Sequence, residues 1–289
     1  MKAPYRVYAS DDVHKNAKVK FTPDGFCKVT CFTRAVYKQA GFEELEMYGY
    51  DIAMKSAKKE TKKTESSQGV RADNFKRAKD KIFDIANANK WDYMVTFTLD
   101  AGKIDRFDKA SIKATFGKWL DNMVQRRGLK ALIIPEYHKD GAIHFHGLIN
   151  DSLRMSHSGT YKIKGKKKPV GLSSLKRQGL TPDDDTVRDV YNVTDYKLGF
   201  STAVRLDDNS TAVAFYMTKY CTKELDKIFG SFYFAVGKIE RELPFVVCNM
   251  DFNELLKVGN SRAVKLPENL GEVVYATITA DDFYGGEII

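Results

Sequence analysis

The sequence predicts an α+β fold, and three observations carry that prediction. Tyr93–Leu99 (YMVTFTL) is a run rich in β-branched and aromatic residues, as strands are. The segments LKALIIPEYH and AIHFHGLIN flank Lys139-Asp140-Gly141, which reads as a hairpin of two strands around a three-residue turn. Amphipathic patterns of period 3.6 lie around these strands, at Asp73–Asn89, Asp108–Arg127 and Thr211–Lys227.

The first 90 residues read as irregular and basic, with Lys55, Lys58, Lys59, Lys62 and Lys63 followed by a polar linker or loop from Thr64 to Gly69. A helix is expected over Asp73–Asn89, with Phe75, Ile82, Ile85 and Ala86 as its inward stripe. The strand Tyr93–Leu99 ends at the turn Asp100-Ala101-Gly102. In Asp108–Arg127 the residues Ile112, Phe116, Trp119, Leu120, Met123 and Val124 recur at helical spacing, and Gly128 occupies the position where helices end in a left-handed residue. Asn150 to Pro182 reads as a long polar insertion carrying Lys162, Lys164, Lys166, Lys167 and Lys168. Further strands are expected near Val187–Val193, Gly199–Leu206, Ser231–Gly237 and Leu243–Met250. The helix Thr211–Lys227 is capped by Asn209 or Ser210. Leu266–Ile289 has five acidic and no basic residues and reads as an acidic tail. The expected organisation is a basic N-terminal extension (1–90) that recognises DNA or extends the sheet, a core (91–230) with a basic insertion (151–182), and C-terminal strands with the acidic tail (231–289).

Composition narrows the function. The chain has 289 residues, 43% of them hydrophobic, enough for a core. Its 47 Lys+Arg against 38 Asp+Glu give a net charge of +9, which favours an anionic partner such as nucleic acid. No apolar run approaches the ~18 residues of a membrane span, and the first residues lack the apolar centre of a secretory signal, so a cytoplasmic protein is expected. Four cysteines are too few for a disulfide scaffold. Cys27 and Cys31 read as buried free thiols more readily than as half of a zinc site.

His144 and His146 lie in one strand with one residue between them, so both imidazoles share a face and Phe145 takes the other. Two adjacent imidazoles can be an ordinary surface or core pair, or the first two ligands of a divalent cation whose third is commonly a carboxylate. If Lys139-Asp140-Gly141 is the loop, Glu136 pairs with His144 and Ile134 with His146, which puts Glu136 on the histidine face and favours the metal. His138 shares that face as a candidate further ligand. In the segment AFYMTKYCTKE, Tyr216 and Tyr220 are four apart and Lys219 and Lys223 each follow a tyrosine by three, so one helical face would carry two phenols and two ammoniums. A phenol is a poor nucleophile at neutral pH unless cations lower the cost of its anion. The same pattern also fits an amphipathic helix with half-buried tyrosines and solvated lysines.

Taken in order, YMVTFTLD, EYHKDGAIHFHGLIN and YMTKYCTKE resemble the three motifs of HUH-superfamily rolling-circle replication initiators, and the third most resembles the Tyr-x-x-Lys-Tyr-x-x-Lys helix of the gene A proteins of small single-stranded DNA phages. NVTDYKLGF, at Asn192 to Phe200, is similar to the segment between the second and third motifs. The resemblance covers Tyr93 to Lys223. It implies a central antiparallel sheet with packed helices, related to the RNA-recognition and ferredoxin-like folds. It also implies a metal-dependent nickase and strand transferase. Tyr216 and Tyr220 would be nucleophiles forming a 5′-phosphotyrosyl link, and Lys219 and Lys223 would position phosphate. Glu136, His144 and His146 would hold Mg²⁺ or Mn²⁺, and Thr96 to Leu99 would be a structural strand near bound DNA. The implied partner is single-stranded DNA or an origin hairpin. No G-x-x-x-x-G-K-[ST] motif occurs, so a host helicase is the expected second partner, and the expected setting is the cytoplasm of a bacterial cell carrying a phage or plasmid. The competing readings are a relaxase or transposase of the same superfamily, a metal-dependent phosphoester hydrolase, and a non-catalytic module whose Tyr93 and Phe97 stack bases.

Overall fold

A computed structural model describes residues 7–8, 14–38, 72–166, 168–206, 213, 216–218, 227–266 and 271–285. In chain order the strands are β1 (Val7–Tyr8), β2 (His14–Lys15), β3 (Ala17–Phe21), β4 (Phe26–Phe32) and β5 (Tyr37–Lys38). They are followed by α1 (Ala72–Ala88), β6 (Tyr93–Leu99), α2 (Lys109–Arg127), β7 (Ala131–Tyr137), β8 (Ile143–Ile149), β9 (Met155–Ile163) and β10 (Val170–Gly171). Then come α3 (Leu172–Arg177), β11 (Val187–Val193), β12 (Gly199–Arg205), β13 (Phe234–Val236), β14 (Phe245–Met250), α4 (Phe252–Leu256), β15 (Arg262–Lys265), β16 (Glu272–Thr279) and α5 (Ala280–Tyr284). The class is α+β, as expected, with antiparallel sheets. No helix among the described residues is long and apolar enough to cross a membrane.

The chain divides into two compact units, Met1–Gln68 with Leu243–Ile289, and Gly69–Glu242. The first holds a six-stranded sheet in the order β1-β14-β3-β4-β16-β15 and the small β2-β5 pair. Val19, Val29, Val274, Ala276 and Ile278 pack in its core with Cys27 and Cys31. Burial pushes the Cys27 thiol up to about 11 and the Cys31 thiol up to about 12, so both remain protonated and unreactive at neutral pH. The segment that its charges mark as an acidic tail therefore contains β16, an internal strand. Its apolar residues Val273, Val274, Ala276 and Ile278 are all buried.

The second unit is built on one eight-stranded sheet, β10-β9-β11-β12-β6-β8-β7-β13. Its core lies on the face covered by α2. There Phe97, Phe116 and Phe145 are fully buried, and the Phe116 and Phe145 rings stack with centroids 3.8 Å apart. The sequence signals around α2 act as read. Asp108 accepts hydrogen bonds from the backbone N–H groups of Ala110 and Ser111, and Gly128 adopts φ 69°, returning its N–H to the last turn. On α1, Ile82, Ile85 and Ala86 are buried, while the side chain of Phe75 lies outside the described residues. The polar insertion departs from the expected loop. Within it β9 pairs with β11 along seven positions, and α3 packs Leu175 onto Ile163 and Val187. The lysine run at 55–63 and the stretch 64–69 lie outside the described residues, as does Lys167.

Candidate metal centre

The turn at Lys139-Asp140-Gly141 sets the register of everything on the adjoining strands. Asp140 accepts a hydrogen bond from the Ala142 N–H, Gly141 takes φ 83°, and His138 N–H reaches the Ala142 carbonyl across the turn. With that loop length Glu136 pairs with His144 and Ile134 with His146, as the turn arithmetic expects. Side-chain alternation sends Ile143, Phe145 and Ile149 into the core under α2 and leaves His144 and His146 on the opposite face with Glu136.

The three side chains converge. His146 Nε2 is 3.0 Å from Glu136 Oε2, His144 Nε2 is 3.5 Å from the same oxygen, and the two Nε2 atoms are 3.3 Å apart. Ligands bound about 2.1 Å from one cation at octahedral to tetrahedral angles are roughly 3.0–3.4 Å from each other, so these edges have the size a divalent ion requires. Glu136 is only 6% exposed and so is largely removed from water. A carboxylate in that position needs positive charge or hydrogen-bond donors, and an ion or the two imidazoles can supply them.

Thr96 adds a fourth contact that the histidine pattern does not reveal. It pairs with His146 across β6 and β8, and its Oγ1 lies 3.1 Å from His146 Nδ1. If that oxygen accepts the Nδ1 proton, the Nε2 lone pair faces Glu136 and the centre. The signal for it was the alternation of YMVTFTL, which sends Phe97 and Leu99 into the core and Thr96 and Thr98 to the histidine face. His138 behaves differently. It is exposed, its Nδ1 is 3.1 Å from Asp140, and it is not one of the three residues whose ligand atoms cluster within 4.8 Å.

Of the tyrosine and lysine set, Tyr216 is among the described residues. The backbone of Tyr216–Thr218 is helical, Met217 and Thr218 are buried, and Tyr216 is 40% exposed. Lys219, Tyr220 and Lys223 lie outside the described residues. Two aromatics offered as base-stacking surfaces are corrected. Tyr93 is 5% exposed and Phe97 fully buried, with the Phe97 ring packed against Phe116, Trp119 and Tyr196, so neither face is open to a base.

No curated protein and no solved structure matches the chain significantly. A protein-family model does match, over residues 92–225, which hold the strand of Thr96, the hairpin of Glu136, His144 and His146, and the Tyr216–Lys223 segment. That family is described as replication-associated protein, of the ORF2 type, and the match supports a replication initiator, a protein that binds DNA.

Proposed function

We propose that the chain is a replication initiator that nicks single-stranded origin DNA by tyrosine attack during rolling-circle replication of a phage or plasmid. The observation that carries this reading is the convergence of Glu136, His144 and His146, placed by one hairpin register within the stretch that matches replication-associated proteins. The sequence Tyr216-x-x-Lys219-Tyr220-x-x-Lys223 supplies a nucleophile that a plain metallohydrolase would not need.

Glu136, His144 and His146 would hold Mg²⁺ or Mn²⁺. Bound there, such an ion supplies Lewis-acid polarisation of a phosphate oxygen. The chain does the rest. The phenol of Tyr216 or Tyr220 gives up its proton, and its oxygen bonds to the phosphorus of a phosphodiester. The bond from phosphorus to O3′ breaks, and O3′ leaves with a proton as a free 3′-OH. The 5′ phosphate stays on the tyrosine. Lys219 and Lys223 lower the cost of phenolate and hold the phosphate oxygens. A second tyrosine allows a second attack, which would close the displaced strand. A host helicase would open the duplex, since the chain has no nucleotide-binding loop of the P-loop type.

His146→Ala provides the test. The variant should bind a single-stranded origin oligonucleotide as the wild type does and form no covalent adduct with it in Mn²⁺. Adduct formation at the wild-type rate in EDTA would contradict the metal role.

A further inference from the structure

On the sheet face that carries the three converging side chains, one large aromatic is left open. We infer that Phe200 is a stacking platform for a base of single-stranded DNA next to the phosphate to be cut, an inference that rests on the proposed nicking site and extends it.

Register places the ring. Phe200 pairs with Thr98 across β12 and β6, and Thr98 pairs with His144 across β6 and β8. In the neighbouring row Thr202 pairs with Thr96, and Thr96 with His146. Ala203 is fully buried in the core under α2, and Ser201 is turned inward with its Oγ accepting from the Val193 N–H. Alternation therefore puts Phe200 and Thr202 on the histidine face. Strands lie about 4.8 Å apart, so Phe200 stands two ladder steps, about 10 Å, from His144, within reach of nucleotides flanking a phosphate held there.

The ring is 69% exposed, and among the described residues no other ring packs on it. Its backbone is held firmly. A Cβ on Gly199 would come 2.1 Å from the Thr98 carbonyl oxygen and 2.6 Å from the Asp100 nitrogen, so only glycine lets β12 begin this close to the end of β6. Its surroundings are polar and cationic. Thr98 and Thr202 flank it on the face, and Lys103 donates to the Lys197 carbonyl at 3.2 Å beside the turn that leads into Gly199. A solitary ring among hydroxyls and ammoniums is poorly matched to an apolar protein partner, which needs a contiguous patch. It is well matched to a base on its π-face with phosphates beside the lysines.

The test compares wild type, Phe200→Ala and Phe200→Trp in EDTA, by anisotropy of a labelled thymidine single strand of ~15 nucleotides, long enough to cover one site. Phe200→Ala should bind about 5-fold more weakly or worse, the loss of one base stack, and Phe200→Trp should bind like wild type. A strand carrying 5-iododeoxyuridine should photocrosslink to Phe200 in the wild type. Unchanged affinity of a folded Phe200→Ala, or absence of that crosslink, overturns the inference. So does a change in self-association on Phe200→Ala, seen by sedimentation, with DNA affinity unaltered. A wild type that crosslinks through Phe200 yet never forms a tyrosyl adduct overturns the nicking and leaves the stacking in place. An adduct formed equally by wild type and Phe200→Ala at limiting DNA does the reverse.

Discussion

Thr96 decides how sharply His146 is aimed. Its hydroxyl is the hydrogen-bond partner of His146 Nδ1, 3.1 Å away, and partners of this kind fix the tautomer and orientation of a metal-binding imidazole. Thr96→Val keeps the shape and removes the hydroxyl. It should weaken Mn²⁺ binding about 10- to 100-fold, read by calorimetric titration, whereas Thr96→Ser should restore it. Equal affinities in all three proteins would show that the hydroxyl has no part in the centre. The triad itself was legible before the fold was known, because three residues and a turn length suffice to fix which side chains share a face of a hairpin. Thr96 and Phe200 were not legible as site residues. Their place depends on pairing among β12, β6 and β8, which are separated in sequence by α2 and by the β9–β11 insertion, and no local pattern encodes that pairing.

Helices and hairpins with their own caps and turns were read closely, and elements without them were not. Tyr93–Leu99 is the observed strand, and α2 begins and ends at the Asp108 cap and Gly128. By contrast β9 (MSHSGTYKI) is polar on both faces, and its exposure pattern shows no clean alternation, so nothing in it distinguishes a strand from a solvated loop. The turn between β11 and β12 is tied to α2 by a buried carboxylate. Asp195 accepts from the Arg154 backbone N–H and guanidinium, lies 3.6 Å from Arg127, and its carbonyl accepts from the Trp119 indole. Burial works to raise the pKa of the Asp195 carboxyl, but the hydrogen bonds from Arg154 and the charge of Arg127 outweigh it and hold the group below the usual carboxylate range. A depressed carboxylate stabilises the fold above its unfolded pKa of about 3.9, and that contribution is lost as pH falls through the folded value. Asp195→Asn should cost about 2 kcal/mol in urea unfolding at neutral pH. The gap between the two proteins should then narrow as the pH is taken below ~4. A gap that stayed constant with pH would assign the loss to packing instead of charge.

At the scale of the whole molecule, residues from both ends of the chain build one sheet. Met250 pairs with Val7 and Val274 with Cys31, and Asn16 donates to the carbonyls of both Phe32 and Met250. Pairings across more than 200 residues leave no trace in local composition, and the charge pattern of Leu266–Ile289 concealed the apolar residues of β16. Removing Leu266–Ile289 would expose the β4 edge and the buried side chains of β3 and β4. The truncated chain should lose the protection of Ala17–Phe32 in hydrogen exchange, while Tyr93–Leu99, in the other unit, keeps its own. Unchanged protection of Ala17–Phe32 would mean that β16 is dispensable to its sheet.

The account as a whole stands on covalent attack by tyrosine, and the measurement that reaches it most directly is a denaturing gel of the protein with end-labelled single-stranded origin DNA, with Mn²⁺ or with EDTA. Wild type, Tyr216→Phe, Tyr220→Phe and the double variant run side by side. The predicted result is a metal-dependent band in which label stays with protein, retained in part by each single variant and lost in the double one. An adduct that survives in the double variant, or a cognate origin that yields none with the wild type, would contradict it.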